Sequence, residues 1–239
     1  YGTLENLGDK VAIQLNDTHP TLAIPEMMRI LLDECGFGWD KSFDICQKVF
    51  AYTNHTVMAE ALEKWNVDIF KMTLPRIYQI VVEMDRRARE ELAKAFPGDQ
   101  GKIDYMALIG DNQVRMANIC AYTANSINGV SKLHSEIIKD SVFHDYYLFK
   151  PQAFKNVTNG IAYRRWLLAS NPELCKLLDE TIGEEYKHDA STLSKLNKYA
   201  DDKTVLKRIN EIKLDNKKNF AAYLEKSTGQ VIDPNSIFD

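Results

Sequence analysis

The amino-acid sequence predicts a helix-rich α/β fold in which parallel strands form an incomplete sheet. Residues 10–16 (KVAIQLN) alternate apolar and polar side chains with the period of two expected of a strand. A helical pattern over 22–34 follows, and then a second apolar run at 49–52, so the chain contains a strand–helix–strand unit, which favours parallel pairing. A third short strand is predicted within 154–160 (FKNVTNG). Three or four strands are too few for two complete doubly wound sheets.

Helices are predicted for most of the remaining chain. Pro25 fits the helix over 22–34 only in its first turn, and Gly36 and Gly38 end that helix. A long amphipathic helix begins at Pro75 and ends at the F-P-G-D sequence; its apolar face consists of Ile77, Ile80, Val81, Met84, Ala88 and Leu92. Further helices are predicted near 40–47, 101–108, 112–124, 131–140, 163–169, 172–181, 190–197 and 202–226.

Composition and charge argue against several classes of protein. The chain has 239 residues, of which 45% are hydrophobic and 27% charged, which is ordinary for a protein with a buried core. Its formal net charge of -4 argues against nucleic acid and against an anionic membrane surface, because phosphate groups are usually bound by a basic surface. No apolar run approaches the ~18 residues of a membrane span. We therefore expect neither nucleic acid nor a membrane as a partner.

The four cysteines indicate a reducing compartment. Cys35, Cys46, Cys120 and Cys175 are widely spaced, form no C-x-x-C pair, and have no histidine at metal-ligand spacing. We expect free thiols, no metal site and a cytoplasmic location.

Polar side chains follow three of the predicted strands. The segments are N-D-T-H (16–19), T-N-H-T (53–56) and T-N-G (158–160). In parallel α/β sheets, ligands bind beyond the carboxyl ends of the strands. Amide, imidazole and hydroxyl groups there suit a neutral polyhydroxyl ligand, whose OH groups both donate and accept hydrogen bonds. The segments thus predict a polar binding cleft, with solvated turns or helix caps as the alternative; Asp17 in particular could cap the helix over 22–34.

Other catalytic motifs do not explain these residues. The sequence contains no G-x-G-x-x-G, P-loop, H-E-x-x-H or G-x-S-x-G motif. His134 and Glu136 could suggest a metal pair, but on a helix they face different directions, so an ordinary helix surface is expected. Arg164 and Arg165 open a predicted helix, where their charge opposes the helix dipole; an anionic partner and an interdomain ion pair both remain possible explanations.

Several longer stretches resemble the α-glucan phosphorylases, the family of glycogen, starch and maltodextrin phosphorylases. They are VAIQLNDTHPTLAIPEMMRIL, AYTNHTVMAEALEKW, LPRIYQIVVEM, AFPGD, NGVSKLHSEIIK and FKNVTNGIAYRRWL, and the similarity runs in order over essentially the whole chain. The resemblance implies a slice of a two-domain, glycosyltransferase-like (Rossmann-type) architecture. Residues 1–158 would be the late part of the N-terminal domain and residues 159–239 the start of the C-terminal, cofactor-side domain.

The resemblance also implies roles for individual residues. His55 would be catalytic and substrate-binding: its side chain would bind the 6-hydroxyl of the transferred glucosyl unit, and its main-chain carbonyl would face the anomeric carbon. Asn159 would contact the same hydroxyl, Asp17 and His19 would line the neighbouring cavity, and Trp166 would lie beside pyridoxal phosphate. The reaction implied is phosphorolysis of terminal α-1,4-linked glucosyl units to glucose 1-phosphate, with α-1,4-glucan and inorganic phosphate as substrates and a homodimer as the full-length protein.

The resemblance is partial, because the motifs for the cofactor are missing. The Schiff-base lysine, the phosphate-binding K-R-x-H-E-Y-K segment and the Gly-rich loop have no counterpart here, and Ala162-Tyr163 replaces the usual Thr-Pro. Since the chain opens at Tyr1 without Met and stops abruptly at Asp239, we expect a fragment, with ordinary processing as the alternative. Alone it is expected to bind no cofactor and to be inactive. The competing hypothesis is a non-catalytic carbohydrate-binding or scaffolding module, and preference among glucans, regulation and oligomeric state are left open.

Overall fold

The computed structural model describes residues 3–238, and its strands form two sheets. The strands in chain order are β1 (Ile13–Asn16), β2 (Phe50–Thr53), β3 (Lys64–Asn66), β4 (Ile109–Gly110), β5 (Gln113–Arg115), β6 (Ile127–Gly129) and β7 (Phe154–Asn156). The helices are α1 (Leu7–Lys10), α2 (Ala23–Arg29), α3 (Trp39–Val49), α4 (Val67–Thr73), α5 (Pro75–Ala95), α6 (Gln100–Met106), α7 (Met116–Thr123), α8 (Lys132–Ile137), α9 (His144–Phe149), α10 (Pro172–Ile182) and α11 (Lys203–Thr228).

The central sheet is parallel, as predicted, and has the strand order β1-β2-β6-β7. Ile13 lies opposite Phe50, and Ile127 lies opposite both Tyr52 and, on its other side, Phe154. The carboxyl ends of the strands therefore lie along one edge of the sheet. The inner strands provide much of the core, since the side chains of Phe50, Tyr52 and Ile127 are fully buried.

The apolar faces predicted from helical spacing are confirmed. All six residues of the predicted α5 face are buried, and α5 packs against α2, α4 and α6. Pro25 lies in the first turn of α2, which continues through a π-helical turn at Ile30–Glu34 and ends at Gly36, whose φ of +71° suits glycine. The helix predicted near 40–47 is longer, extending from Trp39 to Val49.

Several predicted elements differ in the structure. β6 was not predicted, because its run of three residues is too short to show a period. The start of the helix predicted over 112–124 is instead β5, which pairs antiparallel with β3 and β4 in a small second sheet. α9 was not predicted either, and the helix over 131–140 is divided into α8 and a π-helical turn at Ile138–Val142.

The described residues divide into two compact units, the first ending at Asn159 and the second beginning at Gly160. The second unit contains α10 and α11, a π-helical turn at Arg165–Ala169 and a 3-10 segment at Ala190–Tyr199. Its buried residues include Leu177, Leu178 and Tyr186, while α11 buries only Val205. Which part of a larger architecture each unit forms stays a prediction.

Candidate functional site

The three polar segments follow three strands of the parallel sheet. N-D-T-H follows β1, T-N-H-T follows β2 and T-N-G follows β7, so all three begin at the carboxyl edge of the sheet in the first unit. β6, the unpredicted strand, ends between the second and third of them, with Asn128 and Gly129.

A row of hydrogen-bonded side chains crosses the strand ends. Gln14 Nε2 of β1 donates to Thr53 Oγ1 of β2 at 2.7 Å, and Thr53 Oγ1 donates to Asn128 Oδ1 of β6 at 2.8 Å. Asn128 Nδ2 in turn donates to the carbonyl of Gly129 at 3.0 Å. The polar residues at this edge therefore hold one another in place across three strands.

Asn54 is buried and shapes the loop after β2. Its Nδ2 donates to the hydroxyl of Tyr52 at 3.2 Å, and its Oδ1 accepts from the N–H of Thr56 at 3.1 Å. Its own N–H donates to the carbonyl of Asn128 at 3.0 Å. Asn54 is thus a structural residue, and the next side chain, that of His55, points outward.

His55 is exposed, and its ring is held from one side only. Nε2 lies 2.6 Å from Asn16 Oδ1, so Nε2–H donates to that amide. Within residues 3–238, no donor or acceptor contacts Nδ1 of His55, and no donor contacts its main-chain carbonyl. With the proton on Nε2, the neutral ring presents a lone pair at Nδ1 that can accept a hydrogen bond from a hydroxyl group.

Asp17 does not cap α2, contrary to the alternative considered from the sequence. α2 has Leu22 at its N-cap with no side-chain cap, and Asp17 has a φ of +70°. Asp17 Oδ1 instead accepts from the N–H of Thr18 at 2.7 Å, and its own N–H donates to the carbonyl of Thr53 at 2.9 Å. His19, two residues on, is exposed. Asp17, with its left-handed backbone conformation, is therefore part of the loop after β1.

Asn159 has an exposed side chain and a fixed backbone. Its N–H donates to the carbonyl of Val130 at 2.9 Å, which ties the loop after β7 to the loop after β6.

Trp166 lies in the second unit, in the π-helical turn, with 62% of its surface exposed. Arg164 of the same unit donates to the hydroxyl of Tyr163 at 3.1 Å.

The interpretation of His134 as an ordinary surface residue is wrong. His134 is half-buried at the start of α8, and both of its ring nitrogens contact main-chain groups of neighbouring loops, at Val130 and Thr56. Ser135, next to it, is fully buried. Helical spacing alone could not reveal these contacts; the S-x-x-H pattern at 131–134 predicts only the helix start, where Ser131 Oγ accepts from the N–H of His134 at 3.1 Å.

The part of the chain that the structure describes contains neither a metal-binding cluster nor a membrane-spanning helix. Residues 3–238 contain no group of His, Cys, Asp and Glu side chains able to hold a metal ion. No described helix is both long enough and apolar enough to cross a bilayer.

Comparisons with known proteins agree with the resemblance seen in the motifs. A family model described as carbohydrate phosphorylase matches residues 1–239. The muscle form of glycogen phosphorylase from Bos taurus is 47% identical over 234 residues, which cover 97% of this chain and 28% of that relative. The liver form from Bos taurus is also 47% identical, and the muscle form from Homo sapiens is 46% identical, with the same coverage. The chain thus spans 28% of the length of these relatives.

Proposed function

The chain belongs to the carbohydrate phosphorylase family, and we propose that it forms the glucosyl-recognition segment of an α-glucan phosphorylase. The reaction of the full-length enzyme is phosphorolysis. The anomeric carbon of the terminal α-1,4-linked glucosyl unit exchanges its bond to O4 of the next unit for a bond to a phosphate oxygen, and O4 takes up a proton. The products are glucose 1-phosphate and a glucan shortened by one unit.

The observation that supports this function best is the orientation of the His55 ring. Asn16 holds Nε2 at 2.6 Å, and Nδ1 has no hydrogen-bond partner among residues 3–238. We assign Nδ1 as the acceptor for the 6-hydroxyl of the bound glucosyl unit, and the exposed amide of Asn159 as the second partner of that hydroxyl.

The main-chain carbonyl of His55 has a separate role in this proposal. Breaking the glycosidic bond places positive charge on the anomeric carbon and the ring oxygen. A carbonyl dipole fixed by the loop after β2 stabilises that charge without having to reorient during the reaction. Asp17 and His19 extend from the neighbouring loop after β1, and we assign them to the wall of the cavity beside the glucosyl unit.

Pyridoxal phosphate belongs to the proposal for the full-length enzyme, but the residues of this chain do not by themselves fit it. Covalent attachment needs a lysine amine that is accessible and whose pKa is low enough to leave it unprotonated, and Lys150 is the described lysine at which burial lowers that pKa. Lys150, whose pKa burial lowers to about 7, has Nζ bonded to the carbonyls of Tyr122 and Ala124 at 2.7 and 2.9 Å. Trp166 is the residue we assign to the cofactor's surroundings, since its exposed indole can pack against a further group.

The remaining features of the proposal concern the whole protein. We infer that the full-length enzyme acts on α-1,4-glucan and inorganic phosphate, works as a homodimer and is located in the cytoplasm. The 239-residue chain alone would lack the cofactor side of the site and would be inactive.

The substitution His55→Ala in the full-length enzyme tests the assignment. It removes the acceptor of the 6-hydroxyl in a closed site and leaves that hydroxyl with Asn159 alone, which costs roughly 1–3 kcal/mol, so kcat/KM for glucose 1-phosphate should fall about tenfold to a hundredfold. Activity should not vanish, because the main-chain carbonyl remains. His144→Ala is the matched control, since this histidine is exposed and its ring has one hydrogen-bond partner within residues 3–238, the carbonyl of Lys139 at 3.0 Å.

The substrate analogue 6-deoxyglucose 1-phosphate separates recognition from structure. The wild-type enzyme should already use it slowly, and His55→Ala should slow it little further. Equal losses with both substrates would mean that His55 acts through the structure of the loop, and the assigned role would have to be withdrawn.

A further inference from the structure

The first turn of α8 lies between the two loops that bear His55 and Asn159. His134 Nδ1 accepts from the N–H of Val130 at 3.1 Å, and His134 Nε2 lies 3.4 Å from the carbonyl oxygen of Thr56, the residue after His55. One side chain therefore contacts both the loop after β6 and the loop after β2.

The two contacts determine the form of the ring. A main-chain N–H can only donate and a main-chain carbonyl can only accept. Only the neutral ring with its proton on Nε2 satisfies both groups; the other tautomer and the cation would direct a proton from Nδ1 at the N–H of Val130. The contact with Thr56 is the longer and weaker of the two.

The loop after β7 is tied to the same turn. The carbonyl of Val130 accepts from the N–H of Asn159 at 2.9 Å, so the Val130 residue is bonded to His134 on one side and to Asn159 on the other. The hydroxyl of Ser135 lies 2.7 Å from Asn156 Oδ1, at the end of β7, and Asn156 Nδ2 donates to Thr158 Oγ1 at 3.1 Å.

Gly129 allows this turn to approach the sheet. A Cβ at position 129 would lie 2.8 Å from the main-chain nitrogen of Ser135 and 2.9 Å from its Cα, distances that side-chain movement cannot relieve. Only glycine at position 129 therefore allows α8 to pack this closely against β6.

We propose that His134 is a positioning residue that fixes the loop of His55 relative to the loop of Asn159, and so sets the geometry in which both side chains meet one hydroxyl group of the sugar. The contacts Thr56–His134, His134–Val130 and Val130–Asn159 connect main-chain groups of the two loops through the ring of His134. This inference rests on the proposed function for the identity of the ligand, but the connection between the loops is independent of it.

The test uses His134→Asn and His134→Gln in the full-length enzyme. Asn places an amide oxygen near the position of Nδ1 and keeps the partner of Val130, whereas Gln places an amide N–H near the position of Nε2 and keeps the partner of Thr56. In His134→Asn the N–H of Val130 stays paired, so thermal stability should stay near that of the wild type while the link to Thr56 is lost.

The kinetic readout is the preference for glucose 1-phosphate over 6-deoxyglucose 1-phosphate, expressed as a ratio of kcat/KM values. We expect His134→Asn to reduce that ratio about tenfold, since the hydroxyl partners are no longer held together. A purely structural role would lower both values equally, and an unchanged ratio in a folded His134→Asn enzyme overturns the proposal. His134→Gln should retain more of the ratio than His134→Asn.

Hydrogen exchange supplies a readout that does not depend on the sugar. The N–H of Thr56 is bonded to Asn54 Oδ1 and that of Met58 to Thr56 Oγ1, each at 3.1 Å, so both report on the loop of His55. They should exchange several-fold faster in His134→Asn than in the wild type, and unchanged exchange contradicts the positioning role. If the wild-type enzyme shows no preference for the 6-hydroxyl, the proposed function fails, while the exchange result still decides whether His134 connects the loops.

Discussion

Replacing Asn54 with alanine should destabilise the first unit by about 2–3 kcal/mol. Asn54 and Tyr52 are both fully buried, and the amide of Asn54 bonds the hydroxyl of Tyr52 at 3.2 Å. Burial raises the pKa of Tyr52 far above its usual range, so the hydroxyl stays neutral and needs a hydrogen-bond partner. Losing that partner costs roughly 1–3 kcal/mol, and the half-buried N–H of Thr56, which can turn to water, adds less.

A double-mutant cycle with Tyr52→Phe isolates this contact. Each single substitution leaves one buried polar group unpaired, whereas the double variant removes both groups. The two destabilisations should therefore not add. The double variant should lose about 1–2 kcal/mol less unfolding free energy than the sum of the losses in the two single variants. Additive effects would show that the hydroxyl of Tyr52 does not depend on Asn54, and the account of the loop would be wrong.

Urea unfolding followed by tryptophan fluorescence measures these differences. The chain has 3 tryptophans, Trp39, Trp65 and Trp166, and only Trp166 lies in the second unit. A Trp166→Phe background therefore restricts the signal to the first unit, which avoids fitting two units as one transition.

Two further predictions concern glycine and lysine. Gly129→Ala should lower the free energy of unfolding by about 1–3 kcal/mol, because the new Cβ is overpacked against Ser135; urea unfolding measures the difference. The control Gly101→Ala lies in α6, where the nearest atom to the new Cβ is 3.9 Å away, and should be neutral or stabilising. Equal effects of the two substitutions would contradict the close approach of α8. Burial lowers the pKa of Lys150 from 10.5 to about 7, although Glu91 opposes this, so the unfolded state binds the proton more tightly than the folded state. The free energy of unfolding of the wild type, measured relative to that of Lys150→Met, should therefore be lowest below about pH 7 and rise towards pH 10.5, by at most about 1.4 kcal/mol per pH unit. If the two proteins show the same change in unfolding free energy with pH, the prediction is wrong.

The elements predicted from the sequence were those whose own residues show a period or form an apolar run. The alternation in β1 and the spacing of the α5 face are local patterns, and both are found in the structure. The placement of the three polar segments at one edge of the sheet also followed, because parallel strands place their carboxyl ends together. Lys64–Asn66 shows why other strands were missed: all three of its residues are exposed, and only pairing with distant β5 makes them a strand.

The candidate site was predictable only in part, for the same reason. The T-N-H-T and T-N-G segments stand out because polar residues follow strands, but the partners that orient them are distant in the chain. Asn16 is 39 residues from His55, and His134 is 78 residues from Thr56. Spacing on a helix predicts which neighbours a side chain meets three or four residues away, and says nothing about contacts formed when loops from different strands converge.

The unpredicted strand β6 explains the width of the proposed glucosyl subsite. His55 and Asn159 follow β2 and β7, which are separated by β6. Neighbouring strands lie about 4.8 Å apart, so β2 and β7 are about 10 Å apart. A hydroxyl oxygen bonded on both sides accounts for about 6 Å of that separation, and the His and Asn side chains reach across the remainder. Asn128 and Gly129 end the strand between them, with Asn128 buried and Gly129 lacking a side chain. If β2 lay directly beside β7, the strands would be only about 4.8 Å apart, which is less than the about 6 Å that a hydroxyl oxygen bonded on both sides requires. We therefore expect β6 to provide the space in which His55 and Asn159 can share a ligand.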